Sequence, residues 1–528
     1  MSTPRTLRMG EAVPLAEIPR LDTAGFRARV TDVAWRLRLV ALFGRPSYAL
    51  TASEGRPSSS SVAAEGQSAV EPGAPVTLTA IFADDRNGQM QAFSTDVGAS
   101  YPALTPDCPQ ANGFEREIAE QWGVRPEGHP WLKPLRYHRS AVPGRDAWGR
   151  APGTAIEPSV TDFFRVEGEA VHEVAVGPVH AGVIEPGHFR FQCFGETVLH
   201  LEIALGYQHR GVEQALRHGD ARRVMPYMET LAGDTTIGHA TAYAQALESA
   251  AGARVSARAH ALRAVALELE RLANHTGDLG ALAGDVAFLP TMSYCGRIRG
   301  DFLNMTALIC GNRFGRGLVR PGGVRWDLDP ARKDELLSRL AAAEADTKSA
   351  VELMFDSPSV LARFEETGTV SFDECESLGL VGPAARACGA ERDVRQDFPG
   401  GMYRFQQIPV GTWSTGDVFG RAFVRWLEIQ RSIAFIREVL QTLPEGDVLA
   451  PCGPLAPDSL VVSLVEGWRG EVAHVLITGA QGQREFYKIV DPSFHNWMGL
   501  AIAMRDQAIS DFPICNKSFN LSYCGHDL

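Results

Sequence analysis

Residues 256–274, SARAHALRAVALELERLAN, predict a long amphipathic helix. Leu262, Val265, Leu269 and Leu272 recur at the three- and four-residue spacing that places side chains along one stripe of a helix. A stripe of this kind is far more often core than a cofactor-binding surface. The helix therefore indicates that the second part of the chain is built by helix packing.

The sequence around this helix predicts a mainly helical unit with small sheet elements. Further helices are predicted at 330–353 and 415–443, and residues 188–194 and 197–205 have strand composition on either side of a Gly195-Glu196 turn. This unit is expected to span 165–528. We expect the whole chain to be α+β.

A small α/β unit is predicted before it, over residues 14–140. The run PVTLTAIF at 75–82 has strand composition, and DRNG at 85–88 is a turn signal. Residues 53–75, rich in Ser, Gly, Glu and Ala, predict a mobile excursion. The Pro- and Gly-rich stretch that follows residue 140 shows no apolar period, so 141–164 is expected to be a linker.

Composition excludes several classes of protein. With 528 residues, 45% hydrophobic and 22% charged, the chain is expected to form two or three soluble globular domains. No apolar run is long enough for a membrane span, and the N-terminus lacks the apolar core of a secretory signal. A net charge of −12 argues against nucleic-acid binding. Nine cysteines without C-x-x-C spacing indicate reduced thiols in a cytoplasmic protein.

A charged motif in the first unit is specific as a whole. FEREI at 114–118 is followed by Gly123 and by GHP at 128–130. Taken alone, its charged residues would be an ordinary solvated helix face. The full string resembles the signature of the smaller peripheral-arm subunit of respiratory complex I, in which Glu120 stands in for an aspartate.

The second unit carries five further motifs in order. They are GPVH at 177–180, GHFR at 187–190, QHRGVE at 208–213, ELERLANH at 268–275 and RPGGV at 320–324. Together they resemble the large subunit shared by complex I and the energy-converting [NiFe]-hydrogenases. Fusion of both units in one chain is similar to the formate-hydrogenlyase and hydrogenase-4 type.

The resemblance implies two pairs of cysteine ligands for nickel and iron, and this sequence lacks them. The early pair would fall at Ala232 and Thr235 within ETLAGDTT at 229–236, and the late pair at Ser522 and Gly525. Neither a methyl group nor a hydroxyl replaces a thiolate ligand to nickel. A nickel–iron centre is therefore not expected, and no metal site is assigned.

One alternative metal site stays open in the sequence. Cys515, Cys524 and His526 lie close together in sequence, although their spacing matches no familiar site.

The complex I branch of the resemblance implies quinone reduction. There, a histidine of the first hairpin and a tyrosine after the next helix bind the quinone head. His188 matches the histidine, with His180 as a second candidate, and a hairpin histidine satisfied by backbone is the alternative. Gly233 takes the tyrosine position, where it is expected to allow close backbone packing. Nothing in the sequence directs Tyr227 or Tyr243 towards the cavity.

A third departure lies in KIVDPSFHNW at 488–497, which resembles a family segment carrying R-x-P beside the cavity. Val490 takes the arginine position, so a fixed cation is expected to be lost. Phe494 and Trp497 are interpreted as core residues.

The central helix also presents charged side chains on one face. Glu268, Arg271 and His275 stand at i, i+3 and i+7. We expect a buried charge network beside a partner's iron–sulfur cluster, which also includes Arg210, Glu213 and Asp278. Ordinary surface and interface ion pairs are the alternative.

These expectations define a peripheral subunit on the cytoplasmic side of the membrane, in an energy-converting oxidoreductase complex. The resemblance implies contact with a small iron–sulfur subunit and, through the assembly, with antiporter-like membrane subunits. Three hypotheses remain: a redox subunit that uses a quinone or another acceptor, a non-catalytic coupling subunit, and a hydrogenase with displaced ligands. The sequence names neither the electron donor nor the acceptor nor the transported ion.

Overall fold

The predicted long helix forms the centre of the larger unit in a computed structural model, which describes residues 5–46, 75–158, 162–180, 184–218 and 221–528. It runs over Ala257–Asp285, well beyond its predicted end. The Ser256 hydroxyl accepts the Ala259 N–H at 3.0 Å and so caps its first turn. The four residues of the predicted stripe are buried, as a core interpretation requires.

Helices are the most abundant elements of the described chain. They are α1 (Thr23–Ala34), α2 (Asn112–Trp122), α3 (Val212–His218), α4 (Ala221–Met228), α5 (Thr236–Ala251), α6 (Ala257–Asp285), α7 (Leu289–Cys310), α8 (Pro330–Phe355), α9 (Pro358–Phe364), α10 (Phe372–Leu378), α11 (Gly382–Arg386), α12 (Val394–Asp397), α13 (Val418–Gln441), α14 (Pro492–Ala503), α15 (Phe512–Phe519) and α16 (Tyr523–Asp527). The helices predicted at 330–353 and 415–443 are confirmed as α8 and α13. Within the described ranges, every helix is too short or too polar to traverse a lipid bilayer.

Strands occur at both ends of the chain and in the predicted hairpin. They are β1 (Thr6–Leu7), β2 (Ala12–Pro14), β3 (Arg20–Leu21), β4 (Arg38–Pro46), β5 (Val76–Asp84), β6 (Gln89–Val97), β7 (Ser100–Pro102), β8 (Arg125–Glu127), β9 (Val171–Val176), β10 (His188–Phe194), β11 (Thr197–Ala204), β12 (Val319–Arg320), β13 (Gly323–Val324), β14 (Ser459–Gly467), β15 (Gly470–Thr478) and β16 (Arg484–Val490). The predicted strand at 75–82 is confirmed as β5, and the hairpin as β10 and β11. The α+β class is thereby confirmed.

Two sheets decide how the chain is assembled. The first has the order β1-β6-β5-β4, with β3 pairing with β6. The second has the order β16-β15-β14-β2, in which β2 comes from the N-terminal end and the other three strands from the C-terminal end. Ala12 pairs with Val461 and Pro14 with Ser459. Backbone pairing therefore ties the two predicted units together.

The side-chain core crosses the same boundary. Phe43 of β4 stacks on Phe486 of β16 with ring centroids 5.2 Å apart. Leu460 and Val475 lie in one buried cluster with residues of β4, β5 and β6. The division at 14–140, 141–164 and 165–528 stays a prediction, because the folded units share this core. The excursion predicted at 53–75 lies outside the described residues, except for residue 75.

Candidate functional site

Residues 229–236, which contain the predicted positions of the early cysteine pair, join α4 to α5 and lie over the β14–β15 turn. Ala232 and Thr235, the positions of the early cysteine pair, are both buried. Between them, the Asp234 carboxylate accepts two hydrogen bonds from Arg469, at 2.5 and 2.7 Å. The segment therefore presents a carboxylate–guanidinium pair where thiolates were expected.

The positions of the late cysteine pair lie at the start of α16. The Ser522 hydroxyl accepts the Gly525 N–H at 2.9 Å, as a helix cap does. A Cβ atom at Gly525 would lie only 2.7 Å from Cγ of Asp491. The Asp491 carboxylate thus fills the space into which a side chain at 525 would project.

Asp491 is held in that space by a buried histidine. Nε2 of His239 lies 3.0 Å from Oδ2 of Asp491, and the Ser493 N–H donates to Oδ1 at 2.8 Å. Burial alone would raise the pKa of Asp491, but His239 and Arg469 lower it. Asp491 is therefore an ionised group at the centre of the site.

The residues present do not fit a nickel–iron group. The four ligand positions carry a methyl group, two hydroxyls and no side chain, and a neighbouring carboxylate takes up the room at the fourth. The described residues contain no cluster of three or more His, Cys, Asp or Glu side chains arranged to hold a metal ion. Cys515, Cys524 and His526, the alternative site, do not form such a cluster either, and Cys524 lies 3.4 Å from the Ser522 hydroxyl.

Arg469 is a site residue that the sequence motifs did not indicate. Its guanidinium lies 3.8 Å from the centroid of the Trp468 ring, and its Nε donates to the Asn520 carbonyl at 2.5 Å. Asp234 and Asp491 both raise its pKa, against the effect of burial. Val490, at the position of the family arginine, is buried. Arg469, in the turn between β14 and β15, supplies a cation near Asp491. The sequence feature that could have indicated Arg469 is its position next to Trp468.

The two histidines of the quinone hypothesis lie together at the hairpin. Nδ1 of His188 lies 3.1 Å from the Gly177 carbonyl, so it carries the proton, and Nε2 accepts from Nε of Arg190 at 3.3 Å. Burial lowers the pKa of His188. His180 lies 3.0 Å from the Gly187 carbonyl through Nε2. His188 is thus neutral, with both ring nitrogens engaged inside the chain.

The expected tyrosine position is open. Gly233 is exposed, and a Cβ atom there would meet no atom within 4 Å. The expectation that glycine serves close backbone packing stays a prediction, although a side chain at this position would have room. Tyr243 is buried and accepts a hydrogen bond from Arg484 at 2.7 Å, so its hydroxyl is already engaged.

Phe494 and Trp497 belong to the packed interior, as interpreted. Trp497 lies 4.9 Å from the ring of Tyr523, and Phe494 lies 4.9 Å from Phe114 of α2. Both also line a cavity of about 220 Å³ between the two units, to which Arg116 contributes.

Glu268, Arg271 and His275 form the predicted buried network, and it is larger than the sequence suggested. Arg271 donates to Glu268 at 3.0 Å and to Glu428 at 3.3 Å, and His275 lies 2.8 Å from Glu428. The charged side chains joined to it from α11, α12, α13 and β14 are Arg386, Asp393, Arg395, Glu428 and Glu466. Burial alone would raise the pKa of Glu428, yet Arg386, His275 and Arg271 hold it well below its usual range.

The other three predicted members lie elsewhere. Asp278 pairs with Arg425 at 2.8 Å. Glu213 accepts the Ile489 N–H at 2.8 Å and lies 3.0 Å from Nζ of Lys488. Arg210 is exposed and donates to the Thr230 and Leu231 carbonyls, each at 2.8 Å. Glu268, Arg271 and His275 thus share one network, whereas the other three predicted members belong to three separate contacts.

Lys488 links the two units at the second of these contacts. Its ammonium lies 2.6 and 2.7 Å from the oxygens of Glu117, within the FEREI motif. Burial raises the pKa of Glu117, but Lys488 and Arg136 outweigh burial and lower it to about 2. The motif that carries the resemblance in the first unit is therefore paired directly with the second.

Comparison with known proteins agrees with the resemblance to the large subunits of complex I and the hydrogenases. A family model for the respiratory-chain NADH dehydrogenase 49 kDa subunit matches residues 285–457. The carbon monoxide-induced hydrogenase of Rhodospirillum rubrum is 31% identical over 352 residues, which cover 66% of this chain and 98% of that protein. Formate hydrogenlyase subunit 5 of Escherichia coli is 28% identical, over 80% of this chain and 76% of its own length. The C/D subunit of the NADH-quinone oxidoreductase of Bdellovibrio bacteriovorus is 26% identical, over 75% of each.

Proposed function

Since the chain belongs to the large-subunit family that complex I shares with the energy-converting hydrogenases, we propose that it is a peripheral redox subunit of such a complex and works without a nickel–iron centre. In this role it passes electrons between an iron–sulfur partner and a quinone or another acceptor. The complex I-like and hydrogenase relatives support the class of complex.

The single observation that carries the proposal is the ionised Asp491 at the position of the fourth ligand. A carboxylate fixed by His239 and lying against Gly525 leaves no room for a side chain there. The Asp234–Arg469 pair lies across the early positions in the same way. A centre of paired carboxylate, imidazole and guanidinium groups does not supply the soft thiolate ligands of a nickel–iron centre.

Two features support the redox role: the exposed Gly233, and the hairpin of β10 and β11, which carries His188. A neutral histidine held rigidly by Gly177 and Arg190, as His188 is, suits an acceptor site in which orientation matters. The same two contacts favour the second candidate, a non-catalytic coupling subunit, because they leave His188 no free ring nitrogen. A substituted His188 distinguishes the two candidates.

The partners proposed are a small iron–sulfur subunit and, through the assembly, antiporter-like membrane subunits. We place the chain on the cytoplasmic side. Co-purification of a tagged chain from its native membranes, followed by identification of the retained subunits, tests both. Recovery of the chain without an iron–sulfur protein would contradict the proposed assembly.

Metal analysis of the purified complex tests the central claim. We expect iron from the partner subunit and nickel far below one atom per chain. A nickel–iron large subunit purified in the same way is the control. Stoichiometric nickel, or hydrogen-dependent dye reduction at the rate of the control, would show a hydrogenase with displaced ligands and overturn the proposal.

Quinone-dependent oxidation by the complex separates the two remaining candidates. We expect His188→Ala to reduce that rate at least about tenfold if the hairpin orients the acceptor. His172→Ala is the matched control, since His172 is an exposed histidine on the neighbouring strand β9. Equal rates in both variants would favour the coupling subunit.

A further inference from the structure

Four buried side chains form an unbroken line of hydrogen bonds that starts at the centre of the site. Asp491 lies 3.0 Å from Nε2 of His239, and Nδ1 of His239 lies 3.1 Å from Nε2 of His474. Nδ1 of His474 then lies 2.9 Å from the hydroxyl of Tyr487. None of the four side chains is more than 1% exposed. The line runs from Asp491, which lies beside Gly525, into the sheet made by β14, β15 and β16.

The acceptor at one end sets the direction of every bond. The ionised Asp491 only accepts, so Nε2 of His239 carries a proton. Nδ1 of a neutral His239 then accepts from Nε2–H of His474, and Nδ1 of His474 accepts from the Tyr487 hydroxyl. A protonated His239 reverses the second and third bonds and leaves the first unchanged. The line therefore has two complete hydrogen-bond patterns that differ by one proton.

Packing alone does not call for these polar groups. His474 lies opposite Ile489, and Tyr487 lies opposite Leu476, on the sheet face that packs against α5. Val461 and Leu476 on that face are apolar, whereas Ser463, which lies opposite His474, donates to Gln245 of α5 and takes no part in the line. Leucine and phenylalanine would fill the same positions without buried nitrogens that must be satisfied. Each histidine and the tyrosine is satisfied chiefly by the next member of the line.

We propose that Tyr487, His474 and His239 are a proton relay that charges the His239–Asp491 pair at the centre of the site. This inference rests on the proposed function, because reduction of an organic acceptor consumes protons. The Tyr487 hydroxyl gives its proton to Nδ1 of His474 and regains one from solvent. The Nε2 proton of His474 moves to Nδ1 of His239. One proton is taken from solvent, no electrons move, and the product is a His239 imidazolium paired with Asp491.

The surroundings of the relay suit this direction. Burial and the nearby His239 hold the pKa of His474 well below its usual value, so His474 transmits a proton without retaining it. At the other end, the Asp491 carboxylate lies 3.0 Å from Nε2 of His239. Beyond Tyr487, the ring of Tyr243 lies 5.7 Å away, and its hydroxyl accepts from the half-buried Arg484. In the proposed relay, the proton that Tyr487 regains enters on this side, where Arg484 is half-buried.

Proton uptake by the assembled complex tests the relay. Reduced methyl viologen is mixed with the complex in weakly buffered solution, and a pH-indicator dye records proton uptake by stopped flow. We expect Tyr487→Phe to slow uptake at least about tenfold while electron entry stays fast. Tyr101→Phe is the matched control, because Tyr101 is a buried tyrosine of the first unit. Its uptake rate should equal that of the wild type.

A second variant separates an effect on the relay from an effect on folding. His474→Gln keeps a donor and an acceptor in the line, but an amide does not relay protons. It should assemble with an unchanged melting temperature and slow uptake as strongly as Tyr487→Phe. Wild-type uptake rates in His474→Gln would overturn the relay and leave the proposed function standing. Absence of proton uptake in the wild type would overturn both.

Discussion

Replacing Gly525 with alanine tests whether Asp491 really fills the fourth ligand position. The new Cβ would lie 2.7 Å from Cγ of Asp491 and 2.8 and 2.9 Å from its oxygens. The carboxylate has little freedom to retreat, because His239 and the Ser493 N–H hold both of its oxygens. Any relief must come from bending or breaking these contacts.

The cost follows from two terms. Overpacking a buried position costs about 1–3 kcal/mol, and breaking a buried charge pair completely costs about 3–5 kcal/mol. Since the pair is strained and not abolished, we expect Gly525→Ala to lower the free energy of unfolding by about 2–4 kcal/mol. An unfolding entropy of about 2.1 cal/mol/K per residue makes 1 kcal/mol worth about 1 °C here, so the melting temperature should fall by about 2–4 °C.

Calorimetry of the full chain measures this change. Gly233→Ala is the matched control, because its Cβ would meet nothing within 4 Å, and its melting temperature should equal that of the wild type. In an Asp491→Ala background the opposing atoms are gone, so the cost of Gly525→Ala should shrink by at least about 1 kcal/mol. A Gly525→Ala melting temperature equal to the wild type, or an equal cost in both backgrounds, would refute the reasoning.

Three further changes have defined outcomes. Lys488→Met removes one of the two cations of Glu117 and should lower the free energy of unfolding at pH 7 by about 3 kcal/mol in urea denaturation. Because the pKa of Glu117 falls to about 2 in the folded chain, that stabilisation is present above its usual value of 4.5 and is lost as the pH falls towards 2, where variant and wild type should converge. Burial first, and then neighbouring carboxylates, raise the pKa of Asp397 from 3.8 to about 7. Its contribution to stability is therefore complete below pH 3.8 and lost as the pH rises through 7, so Asp397→Asn should gain about 1–2 kcal/mol over the wild type at pH 8 and nothing at pH 3.5, by calorimetry. Arg469→Lys loses the two-pronged contact with Asp234 and should speed amide exchange in residues 229–236 about tenfold, whereas unchanged exchange would contradict the role of this pair.

Periodicity and turn signals were sufficient for the local elements. The helices at 257–285, 330–355 and 418–441 and the hairpin at 188–204 all follow from spacing that a single segment contains. The strands β14, β15 and β16 were not predicted from the sequence, because β14 and β15 are buried along their whole length and β16 along most of it. A buried strand lacks the alternation that marks a strand with one face in water.

The residues of the candidate site were also predicted only in part. Glu268, Arg271 and His275 were found because one helix places them on one face. Their main partner, Glu428, lies on α13, and no local pattern indicates which distant carboxylate a buried arginine will meet. Arg469 was missed for the same reason, since a turn residue reveals its partner only when the turn is folded against another segment.

The sequence by itself determined the family, because the motifs are properties of the residues. It also predicted that the thiolate ligands are missing and that Gly233 and Val490 depart from the family pattern. Only the tertiary structure decided what stands in place of the metal ligands. Asp491 and His239 are 252 residues apart in sequence and meet at 3.0 Å, because α5 packs on the sheet of β14, β15 and β16, and Asp491 directly follows β16. Buried charges must be paired, and the folded chain selects the partners.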